Sequence, residues 1–167
     1  MLQVGCLVAL PDAQEVADFL CLLALLEGTC VEMAAERATD QSVDGLKRLV
    51  TKIVAVDDGQ LDAEQLAHAL RLHDRDVHQR LYSIAHSDIV SSLVVGAGDR
   101  ADFYIADAFG TQSFSFRFHH AVEEHRRIAE VLSWRYPAPG RRAIKSHLVS
   151  FIDALGSAPQ DGEQGIR

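Results

Sequence analysis

The chain has 167 residues, 48% of them hydrophobic and 24% charged, which is enough apolar material for one ordinary domain with a real core and too much for a disordered chain. A formal net charge of -8 speaks against an unassisted nucleic-acid-binding surface, because phosphate contacts need clustered Lys and Arg. Cys6, Cys21 and Cys30 form no CxxC pair and are read as buried free thiols of a reducing compartment.

The opening MLQVGCLVAL carries no basic leader and is followed at once by Asp12, Glu15 and Asp18, so it is read as an extended lead-in (1–10) rather than a signal peptide. Pro11 and Asp12 can start a helix that runs to about Arg37, with Gly28 placed to break it in two. Within it, Asp18 to Leu26 is apolar on nearly every side, which predicts a helix buried between neighbours or across a dimer contact. Its apolar run, Phe19 to Leu26, is too short to span a bilayer, and a cytoplasmic protein without a membrane partner is expected. Thr39 or Asp40 caps the next helix, with Val43, Leu46, Leu49, Val50 and Ile53 at helical spacing and Asp57-Asp58-Gly59 as the stop.

Asp62 caps a helix that reaches about His86, with Leu66, Leu70, Val77, Leu81 and Ile84 as its inner stripe. Ser87 or Asp88 caps the following one, which Gly110 closes; Gly96 and Gly98 leave its continuity open. Thr111 to Phe118 alternates Phe with polar residues, but a lone strand has nothing to pair with, so it reads as a loop. A helix follows from about His119 to Arg135. Pro137-Ala138-Pro139-Gly140 forces a turn, and Arg141 to Leu155 forms the last helix. The prediction is an all-α protein, an antiparallel bundle of about six to seven helices over residues 11–156, with a disordered tail at 157–167.

One stretch, LHDRDVHQRLYSIA (Leu72 to Ala85), sets Asp74 and His78 four residues apart beside an apolar stripe. About one helical turn separates them, so both leave the same face and can grip one ion. The same spacing also suits a solvated or hydrogen-bonded pair, the commoner use of Asp and His on one helix. His125 in EEHRRIAEVL and His147 in IKSHLVSF occupy the middles of the last two helices, whose tight connection makes them antiparallel neighbours. Asp74, His78, His125 and His147 together would make a three-histidine, one-carboxylate site suited to a divalent ion such as Zn, Ni, Fe or Mn. His125 can equally belong to a charged face and His147 to a satisfied core, and composition does not decide.

The segments EMAAERATDQSVDGL, LHDRDVHQRLYSIAHSDIVSSL, EEHRRIAEVL and KSHLVSFIDAL resemble the FCD domain, the all-helical effector-binding domain of the FadR subfamily of GntR transcription regulators, over about Val16 to Leu155. The resemblance implies a divalent metal at Asp74, His78, His125 and His147, a small carboxylic acid or related metabolite as ligand, and a homodimer. Arg126 and Arg142 are candidate ligand-binding residues. The sequence departs from the family at Leu23, where an Arg is usual, and at Asp88, where an Asn is common. About fifteen residues precede the resembling region, so no winged helix-turn-helix and no direct nucleic-acid binding by this chain are expected. The leading expectation is a metal-dependent sensor without its DNA reader. The alternatives are a metalloenzyme, drawing a base from His73, Asp76, His86 or His120, and a dimerising partner of a full-length regulator.

Overall fold

A computed structural model describes residues 11–52, 61–109 and 118–157. They form six helices: α1 (Ala13–Arg37), α2 (Asp40–Lys52), α3 (Ala63–Ile84), α4 (Asp88–Phe109), α5 (Phe118–Ser133) and α6 (Pro137–Ser157). There is no strand among these residues. The lead-in, Cys6, the Asp57-Asp58-Gly59 stop, Gly110, the 111–117 segment and the tail beyond 157 lie outside the described residues.

The starts of the helices follow from local chemistry. Asp12 and Asp62 each accept the backbone N–H three residues on, while Glu15 and Gln65 reach back to the cap N–H, two complete capping boxes. Thr39 takes the cap of α2, its hydroxyl accepting from Ser42 N at 3.2 Å.

Gly28 does not break α1. It sits where α6 crosses, and a Cβ there would lie 3.1 Å from Arg141 Cγ; Gly140 of α6 likewise faces Val31 Cγ1 at 3.1 Å. Two glycines thus let the most extensive helix pair of the fold, α1 with α6, come close together, and Arg141 adds an ion pair to Glu32 at 3.0 Å. Gly96 and Gly98 leave α4 continuous as well. Pro137 opens α6 instead of preceding it, because the first helical position needs no N–H and suits the fixed φ of proline. The turn is confined to the residues before it, with Arg135 in the left-handed region (φ 57°) and its guanidinium on Ala38 O at 2.6 Å.

The core is one cluster contributed by all six helices, including Leu20, Leu46, Leu81, Ile128, Leu132 and Ile144. The apolar stretch of α1 is not wholly buried within the chain: Leu20, Leu23 and Ala24 face inward, while Leu22 and Leu25 are about half exposed. Cys21 is exposed too, against expectation, because it lies one residue from Leu20 and therefore about 100° around the helix. Cys30 is fully buried, and burial, reinforced by Glu27, pushes its thiol pKa up to about 12. No helix among the described residues is long and apolar enough to cross a membrane.

Two outcomes follow. Gly140→Val should destabilise the fold by about 1–3 kcal/mol in urea titration through overpacking against Val31. Brief alkylation of the native protein at neutral pH should label Cys21 and leave Cys30 unmodified, since the thiolate is the nucleophile; equal labelling of both would contradict the packing of α1.

Candidate metal centre

The inner stripe of α3 runs through Ala67, Leu70, Val77, Leu81 and Ile84, and Asp74 and His78 lie along the same side. On α5 the inward positions are Val122, His125, Ile128 and Leu132, so His125 faces the core and has no exposed surface, rather than joining the charged face formed by its neighbours. On α6 His147 is buried beside Ile144 and Leu148. Three helices thereby bring four potential ligands together, with one donor atom from each of Asp74, His78, His125 and His147 within 4.8 Å of all the others.

The individual separations are informative. Asp74 Oδ1 lies 3.2 Å from His125 Nε2 and 3.8 Å from Nε2 of both His78 and His147. The two latter nitrogens are 3.4 Å apart. An ion held at about 2.1 Å by four tetrahedral nitrogen and oxygen ligands would keep them roughly 3.4 Å from one another. Both ring nitrogens of His125 are buried without a partner in hydrogen-bond geometry, the Asp74 contact being close but poorly aligned. A fully buried imidazole left in this state costs free energy, and a cation at the focus of the four groups would remove that cost at Nε2. The residues therefore fit a divalent metal.

Behind the histidines stand two carboxylates that the sequence reading did not single out as site residues. Glu27 Oε2 lies 2.8 Å from His78 Nδ1, an ion-pair contact rather than a well-aligned hydrogen bond, and Glu27 Oε1 accepts from Tyr82 Oη at 2.8 Å. Glu124 Oε2 lies 2.8 Å from His147 Nδ1, and Glu124 Oε1 accepts from Ser150 Oγ at 2.5 Å and lies 3.0 Å from His120 Nε2. A carboxylate at Nδ1 selects the tautomer whose Nε2 lone pair points away from it, here toward the cluster. The one sequence signal was Glu27 itself, a lone acid inside an apolar helix, where a charge is rarely placed without a partner.

The electrostatics follow this geometry. Burial tends to raise the Asp74 pKa, but His78, His125 and His147 outweigh it and hold the carboxyl well below its usual range. Burial tends to lower the pKa of His78, yet Glu27 and Asp74 lift it to about 9. His125, which has no carboxylate behind it, is carried down to about 4 by burial.

The cluster opens onto a cavity of about 80 Å³ that is open to solvent. Asp74, His78 and His147 reach its wall, together with Glu27, Glu124 and a lining of Leu, Val, Ile and Phe side chains. Neither candidate ligand-binding arginine does. Arg126 follows His125 by one residue, a rotation of about 100° that carries it to the surface, where it pairs with Glu123; Arg142 is also exposed. Leu23, where the resembling family usually has Arg, lines the cavity. His73, Asp76, His86 and His120 do not: His73 is buried against the His125 ring, Asp76 and His86 are exposed, and His120 faces Glu124.

Zinc affinity of Glu27→Gln, measured in competition with a chromophoric chelator, should fall about 10–100-fold below that of the parent chain. Equal affinity would mean that Glu27 does not orient His78.

The solved structure of a Streptococcus agalactiae GntR has this fold, with a TM-score of 0.61 and 24% sequence identity over 86% of the present chain, which spans 61% of the length of that one. No curated protein matches the sequence. The family model for the FCD domain matches residues 18–150, which reach into all six helices and include all four converging side chains, and the chain belongs to the FCD domain family.

Proposed function

We propose that this chain is the metal-dependent sensing domain of a GntR-type transcription regulator and that its ligand is a small carboxylic acid bound at the ion. The observation that carries this reading is the convergence of Asp74, His78, His125 and His147 on one point beside an open, largely apolar cavity. Membership of the FCD family agrees with it. A divalent ion there would supply a positive centre with coordination positions open to a carboxylate or hydroxyl.

The chain's own residues do the rest. Glu27 and Glu124 fix the imidazole orientations of His78 and His147. Asp74, on the cavity wall, offsets part of the ion's charge, and the apolar lining excludes water from the body of the ligand. Because α3, α5 and α6 each supply ligands, occupancy ties these helices together, which is how binding would be transmitted to a partner domain or subunit. Homodimer formation is part of the proposal: Leu22 and Leu25 on α1, and Ile89, Leu93 and Phe103 on α4, are large apolar side chains left at least 47% exposed.

Metal content of the purified protein, read by mass spectrometry, should drop from near one ion per chain to near none in His125→Ala. Since Ala also removes a buried ring, helical content by circular dichroism is measured alongside. Undiminished metal in a folded variant would sink the assignment.

A further inference from the structure

The charges around the cavity limit what kind of acid it can take. Five carboxylates line it, and four have commitments: Asp74 to the histidine cluster, Glu27 to His78 and Tyr82, Glu124 to His147 and Ser150, and Asp99 to Arg75 at 2.7 Å. The fifth, Asp102 of α4, lines the cavity with no hydrogen bond or ion pair among the described residues. Apart from the histidines, Arg75 is the one cationic side chain among the described lining residues, and its guanidinium is paired with Asp99. Gln79 and Tyr82, whose hydroxyl is on Glu27, apart, the remaining described wall is apolar, with Leu20, Leu23, Leu70, Ile105, Leu148 and Phe151 prominent.

We infer that the cavity selects a monocarboxylate with an apolar body and rejects dicarboxylates. This rests on the metal-centred reading above. One carboxylate has a destination at the ion, and the hydrocarbon that follows it meets side chains of its own kind. A second carboxylate has none. It would lose its hydration against leucines, find among the described lining residues no cation beyond the Arg75 already paired with Asp99, and face Asp102 as a like charge, and unpaired charge of this sort is an effective way of excluding a competitor.

The test compares two acids of equal chain length, hexanoate and adipate, by calorimetric titration of the zinc-loaded and the metal-free chain at pH 7.5. Burial and Asp74 lift the Asp102 pKa to about 6, so it is ionised at that pH. Hexanoate should bind in a zinc-dependent manner, with adipate weaker by about tenfold or more, and Asp102→Asn should narrow the gap by strengthening adipate. Adipate binding as tightly as hexanoate to the zinc-loaded chain would overturn the inference and leave the metal-centred reading standing; loss of that adipate binding in Arg75→Gln would identify the arginine as its receptor. Binding of both acids regardless of zinc, or of neither, would overturn that reading and the inference together.

Discussion

Two contacts between a carboxylate and an imidazole, the buried Glu27 with His78 and the partly buried Glu124 with His147, are what the centre of this molecule depends on. A histidine in a core is ordinarily a small liability, since one ring nitrogen or the other needs a partner. Here each carboxylate takes the Nδ1 side and so commits the Nε2 side to a common point. Without them either ring could turn or change tautomer, and the approach of the two Nε2 atoms to 3.4 Å would serve only as a hydrogen bond between two imidazoles. With them, the approach becomes a binding geometry. His125 shows the contrast: lacking a carboxylate at Nδ1, it is held by packing and by the Asp74 contact at Nε2, and its pKa falls where that of His78 rises.

The fold supplies the distances that this arrangement needs. Glu27 can reach His78 because α1 passes through the middle of the bundle, and α1 lies close to α6 because Gly28 and Gly140 remove side chains at the crossing. The site and the tightest packing of the fold are therefore parts of one construction. The cavity inherits its polarity from the same elements: α1 contributes leucines above Glu27, and α4 contributes Asp99 and Asp102. The charged end and the apolar end of a ligand would thus be distinguished by the same helices that hold the centre together.

Much of the fold was legible because local rules govern helix ends. Asp12, Thr39 and Asp62 were identifiable as caps from residue type and position, and the inner stripe of α3 from its spacing. The errors came where a residue has two physical uses. Gly28 was read as a breaker, but a glycine inside a helix also permits close approach, and only the position of α6 decides which applies. Pro137 was read as part of a turn, although proline is equally suited to open a helix. Cys21 was expected inside because its neighbours are apolar, but a helix with more apolar residues than its inner face can hold must leave some outside.

The spacing of Asp74 and His78 put both on one side of α3, and that much is a property of any helix carrying these residues four apart. The antiparallel pairing of the last two helices put His125 and His147 forward, and resemblance to the FCD family singled out the same two. What neither spacing nor resemblance could set was the ring direction of each histidine, the role of Glu27 and Glu124 behind them, and the displacement of Arg126 and Arg142 to the surface. Those depend on which residues of separate helices stand opposite one another, over sequence separations as long as that between Glu27 and Tyr82. Helical periodicity determines the face on which a side chain lies, whereas its partner across the bundle is decided by how the helices pack.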